Sequence, residues 1–135
     1  MRRSARASPL EHVFPEGQHR VSAPLSPAVR AGNLLFVSGI PAYDAEGKLS
    51  VGDFPAQMRQ TMANITGILA AAGAGWDRVA KVNVLLTRRE DFEEMNRIYA
   101  EHFPDGKYPA RTTAIVYSPP RPNFLLEIEC TAVLE

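Results

Sequence analysis

The chain has 135 residues, enough for one domain whose core needs no disulfide or metal staple. Apolar residues at 45% and charged residues at 22% are globular averages, which exclude a disordered or fibrous chain. Lys+Arg and Asp+Glu stand at 15 each, so no global field draws nucleic acid or an anionic membrane, and little charge repulsion opposes self-association.

Residues 1–21 are polar, with Pro9 and Pro15, and read as a flexible arm with room for one short strand; a single domain is expected over 22–135. The opening MRRSARAS has basic residues but no apolar core, so it is not a secretory signal. Its Arg/Ser-rich composition also suits an organelle transit peptide, against which Glu11 and Glu16 count. "NLLFVSG", Asn33 to Gly39, is an apolar run closed by glycine and predicts a strand buried on both faces or close to it. "DAEGKL" is turn chemistry.

A helix follows, with Asp53 as N-cap and Pro55 in the first turn, where its missing N–H costs nothing. Met58, Met62, Ile65, Leu69 and Ala72 form one apolar stripe, and Gly73 supplies the stop. "VAKVNVLL", Val79 to Leu86, predicts a strand with Val82, Val84 and Leu86 on one face. Thr87 and Glu90 form a T-x-x-E capping box for a second helix carrying Phe92, Met95, Tyr99 and Phe103. Ala110–Tyr117 and Phe124–Val133 predict two further strands, joined as a hairpin through the proline-rich turn Ser118–Asn123. On the last strand Phe124, Leu126, Ile128, Cys130 and Ala132 alternate with Leu125, Glu127, Glu129, Thr131 and Val133.

This order predicts an α+β fold: one sheet with both helices on one face. The first strand is apolar on its second side as well, so the uncovered face predicts a homo-oligomer built through the sheets.

Few residues are candidates for chemistry. His12, His19 and His102 fall at no metal-ligand spacing, and Cys130 is the single cysteine; no metal and no internal disulfide are expected. A lone cysteine suits a reducing cytosol, and no run approaches a membrane span. Ser38 has no G-x-S-x-G setting for a hydrolase nucleophile. A ribonuclease would call for a histidine pair or a basic stripe, and the sequence offers neither. Arg111 stands out: a guanidinium at the mouth of the strand "ARTTAIV" is a planar fork matched to a carboxylate. Two readings are open. It pairs internally with Glu127 or Glu129, or it faces an external acid. The expected hairpin has two registers, one placing Arg111 on the glutamates' face and one on the other.

The pieces "AGNLLFVSG", "QMRQTMANITGILAAAGAGWDRVAKVNVLLT", "DFEEMNRIYAEHF", "YPARTT" and "LLEIECTA" run from about Ser22 to Val133. In order and spacing they resemble the reactive intermediate deaminase (Rid, YjgF-type) family. The resemblance implies a chorismate-mutase-like homotrimer with the sheets forming a central barrel and a cleft at each subunit boundary. It implies hydrolytic deamination of short enamine/imine carboxylates, 2- or 3-aminoacrylate-like, without metal or organic cofactor, and a cytoplasmic setting. Carried over by motif, Arg111 binds the substrate carboxylate and Glu127 positions or activates water. Ser38 and Gly39 line the pocket, with Asn96 at the subunit boundary and Leu25 and Thr113 on the rim.

The sequence departs from the family at Leu25, where many members carry tyrosine, and at Ile40, where glutamine is frequent. It also departs at Thr113, often a cysteine. The runner-up reading is a non-catalytic trimeric module binding a small carboxylate or a protein partner. No nucleic acid or membrane partner is expected.

Overall fold

The computed structural model describes residues 9–135; the start of the basic tail lies outside them. Six strands form one mixed sheet. They are β1 (Leu10–Val13), β2 (Ala28–Ala31), β3 (Leu34–Ile40), β4 (Val79–Leu86), β5 (Ala110–Ile115) and β6 (Leu126–Val133). Helix α1 (Phe54–Ala71) joins β3 to β4, and α2 (Phe92–Ala100) joins β4 to β5. The sheet order is β1-β2-β3-β6-β4-β5. The predicted class, a single mixed sheet with two helices, is the one observed.

Helix α1 starts and stops as its sequence dictates. The Asp53 carboxylate accepts from Ala56 N–H at 3.1 Å, and Gly73 takes up the left-handed φ of +79° that ends the helix. Met58, Met62, Ile65 and Leu69 are fully buried against the sheet. Their partners are the alternate residues of β4 and β6: Val82, Val84 and Leu86 beside Cys130, Ile128 and Leu126. Period-2 alternation on the strands and the helical stripe thus meet in one core.

Three local expectations are corrected. The capping box does not form; a short 3-10 turn, Arg89–Asp91, precedes α2, and Arg88 closes it by an ion pair to Asp91 at 2.8 Å. Strand β3 is not buried on both sides, since Leu34 and Phe36 remain 36% and 47% exposed while Leu35 and Val37 are buried. The last two strands are not a hairpin. Strand β5 pairs with β4 in parallel, and β6 runs antiparallel between β4 and β3. The reason is the α2 crossover, which returns the chain parallel to β4 on its outer edge. The segment 116–125 must then cross the end of β4 to reach the free edge on its far side. Its prolines suit that open span better than a tight turn.

Within the predicted arm, β1 pairs with β2 as the edge of the sheet.

Candidate functional site

The register assigns each candidate to a side of the sheet. Arg111 and Thr113 lie opposite Val82 and Val84, so they share the helix-covered face. Glu127 and Glu129 lie opposite Leu85 and Asn83, on the open face. Arg111 and Glu127 of one chain are therefore on opposite faces.

On the helix side, Arg111 is held by α2. Its Nη2 donates to Asn96 Oδ1 at 2.8 Å, and its Nη1 points to Met95 Sδ at 3.6 Å. The Tyr99 ring lies 4.9 Å beneath the guanidinium carbon. An amide oxygen, a thioether and an aromatic face orient the fork without neutralising it. Neither glutamate of β6 pairs with it, and among the described residues it has no carboxylate partner. Thr113, two positions on, has a buried hydroxyl with no hydrogen-bond partner. Tyr99 was legible in the sequence only as a core residue. Its spacing of three from Asn96 and four from Met95 is the signal that one helix face supplies the whole cradle.

On the open side, Gly39 and Glu127 come together. A bulge interrupts the β3–β6 register between Val37 and Ile40. A Cβ on Gly39 would lie 2.7 Å from Glu127 Oε1, so the glycine makes room for the carboxylate. Ser38 fastens the bulge: its hydroxyl donates to the Ser26 carbonyl at 2.6 Å and its N–H to the Pro27 carbonyl at 2.9 Å. Burial pushes the Glu127 carboxyl above its ordinary range, and the like charge of Glu129 adds to the shift. Glu129 itself accepts from Asn83 Nδ2 at 2.6 Å. Such a carboxylate, half-buried and raised, is suited to taking a proton from water.

Glu127 and Gly39 also border a cavity of about 600 Å³ whose rim includes Leu25. Ser38, Asn96, Arg111 and Thr113 do not line it. The candidates thus fall into two groups on one chain: Arg111, Asn96 and Thr113 on one side, and Gly39, Glu127 and Leu25 on the other.

Comparison with known proteins agrees with this architecture. Residues 17–134 match the family model described as Endoribonuclease L-PSP. A RutC family protein of Pyrococcus horikoshii is 41% identical over 126 residues, covering 93% of this chain and 98% of that protein. Reactive Intermediate Deaminase A of the Arabidopsis thaliana chloroplast is 37% identical over 132 residues, covering 97% of this chain and 70% of that protein. The crystal structure of yeast Mmf1 superposes with a TM-score of 0.86 at 34% identity, covering 93% of this chain and 99% of that one. The chain belongs to the L-PSP/YjgF family, the reactive intermediate deaminases that its P-A-R and E-I-E motifs resemble.

Proposed function

We propose that this chain is a hydrolytic deaminase of enamine/imine carboxylates, with 2-aminoacrylate as the simplest substrate, acting as a cytoplasmic homotrimer. The observation that carries this reading is an oriented arginine with no carboxylate of its own, on the opposite sheet face from a raised glutamate. A site using both draws Arg111 from one copy and Gly39 and Glu127 from the next. The exposed row of Leu34, Phe36 and Val133 on the open face supports that packing. We propose that three such faces close into a chorismate-mutase-like barrel.

In the reaction, Arg111 binds the substrate carboxylate as a two-pronged fork and Asn96 keeps it aimed. The enamine tautomerises to its imine. Glu127 takes a proton from water as the oxygen adds to the imine carbon, and the C=N pair moves to nitrogen. Proton return to nitrogen and cleavage of the C–N bond release ammonia and leave a 2-keto acid. Imines hydrolyse unaided, so orientation and one general base, worth ~10²–10⁴-fold, are sufficient. Nucleic-acid cleavage is less well supported. His12 bonds Ser26, His19 packs on Tyr43 and His102 packs on Trp76, three unrelated positions.

The test is keto-acid release from enzymatically generated aminoacrylate. Arg111→Ala is expected to raise KM and lower kcat/KM by about 100-fold or more, the scale of a lost charged hydrogen-bond pair. Glu127→Ala is expected to lower kcat with smaller change in binding. Rates equal to wild type in both variants would refute the mechanism. Leu25 and Ile40, which alter the usual rim, favour a second reading as a carboxylate-binding module. Calorimetric binding of a 2-keto acid through Arg111 with no turnover would establish it.

A further inference from the structure

The cradle of Arg111 has an aromatic floor that extends beyond the residues touching the guanidinium. The Tyr99 ring centroid lies 4.9 Å from the guanidinium carbon, inside the ~6 Å over which a cation feels the negative face of a ring. Past the end of α2, Phe103 tilts against Tyr99 with centroids 5.0 Å apart and planes at 41°. Phe103 also stands edge-on to Trp76 at 5.6 Å and to Tyr108 at 5.7 Å. Trp76 is tied to α1 by its indole N–H, which donates to Thr66 Oγ1 at 2.9 Å. Tyr108 lies on the approach to β5, the strand that carries Arg111. Buried Phe103 is thus the ring shared by α2, the Trp76 segment and the entry to β5.

Two features separate this cluster from ordinary core packing. The Tyr99 hydroxyl is buried without a hydrogen-bond partner, so the residue acts through its ring alone. Burial pushes the phenol up to about 12, which keeps the ring neutral and its face electron-rich beside a cation. The second feature is the fork itself, which among the described residues has no carboxylate to fix its direction. A long side chain loses rotamer freedom when it takes up a ligand, and one already laid on a fixed ring loses less.

We infer that Tyr99 and Phe103 are positioning residues for the acid end of the substrate: the Tyr99 ring face holds the Arg111 fork in its binding plane, and Phe103 acts one layer further away by holding the Tyr99 ring. The inference rests on Arg111 as the acid-binding group of the proposed deaminase. Neither ring takes part in a bond that forms or breaks. Their effect therefore falls on the binding of the carboxylate more than on turnover.

The experiment measures KM and kcat for aminoacrylate, and Kd for pyruvate by calorimetry, in Tyr99→Phe, Tyr99→Leu, Phe103→Leu and the Tyr99→Leu/Phe103→Leu double variant. Arg111→Ala is the reference, and emission from Trp76, the single tryptophan, checks that each variant keeps the folded cluster. Tyr99→Phe retains the ring face and is expected to stay within about twofold of wild type. Tyr99→Leu is expected to raise KM and Kd by about 5–30-fold, the scale of a cation–π contact drawn partly out of water, with a smaller change in kcat. Phe103→Leu is expected to raise both by a lesser factor. The double variant is expected to match Tyr99→Leu, because a residue acting through that ring adds nothing once the ring is gone. If Tyr99→Leu does not fold, pentafluorophenylalanine at position 99 keeps the ring's shape, removes its negative face and is expected to raise KM in the same way. An unchanged KM on loss of the ring face, an equal loss in Tyr99→Phe, or single effects that multiply in the double variant overturns the positioning roles. The deaminase then stands as long as Arg111→Ala still impairs turnover. No turnover in wild type, with pyruvate binding that follows Arg111 and Tyr99 as described, overturns the deaminase and retains the positioning roles. Wild-type binding and rates in Arg111→Ala overturn the acid site and the positioning roles together.

Discussion

At the scale of single residues, charge placement decides what the chain can do. Arg111 is oriented by Asn96, Met95 and Tyr99, so its positive charge remains available to a ligand. Glu127 is the converse, a carboxylate made more basic by burial and by Glu129. Its folded-state pKa is raised, so the protein holds the proton more tightly than the unfolded chain does. That favours folding below the ordinary glutamate value of 4.5, and the advantage is lost as pH rises through the window above it. In the proposed mechanism activity runs the other way, because the base must be ionised. The acid limb of kcat/KM is expected above pH 4.5, and Glu129→Gln is expected to move it to lower pH by removing a like charge. An unmoved limb in a pH–rate profile would remove Glu129 from the tuning. Cys130 takes no part: burial pushes its thiol up to about 12, so it behaves as a core residue.

At the scale of elements, helix α1 does two jobs. One face buries the methionine and isoleucine stripe, and Gln57 at its N-terminal end braces two connections. The Gln57 side chain is fully buried and satisfies the carbonyls of Ser50 and Asn123 and the N–H of Leu125. Gln57→Leu keeps the bulk but strands those groups away from water. It is expected to cost about 2–4 kcal/mol in denaturant unfolding, the scale of one to two unsatisfied buried groups. A loss below ~0.5 kcal/mol would mean that water replaces the side chain. Strand β5 matters through its register: pairing with β4 sends Arg111 and Thr113 toward α2, and a one-residue slip would send both to the open face.

At the scale of the molecule, the sheet has one covered face and one that carries an apolar patch where β3 meets the end of β6. Leu34 pairs with Val133, and Phe36 pairs with half-buried Thr131, so Leu34, Phe36 and Val133 form an exposed apolar row. Such a row on a chain with no net charge suits association between copies. Sedimentation is expected to give about three times the chain mass of 14.9 kDa. Phe36→Glu, which places a charge in that row, is expected to yield monomers and to lose aminoacrylate turnover while the fold persists. A fully active monomer would break the link between assembly and the site. Among the described residues, no helix is long and apolar enough to cross a membrane.

Periodicity and capping chemistry made much of this legible from the sequence. The α1 stripe with Asp53 and Gly73, the extent of β4 and the alternation of β6 are local patterns, and local patterns survive folding. The family resemblance of the P-A-R and E-I-E motifs is what draws attention to Arg111 and Glu127 as the residues to test. Which strand β5 would pair with, and therefore which face Arg111 would take, depended on the α2 crossover, a non-local event invisible to any window of residues. The same holds for the neutral cradle of Met95, Asn96 and Tyr99 and for the cavity that four separated segments enclose. Residue types and spacings determine what each element is, whereas only the packing of elements distant in the chain decides which groups share a face.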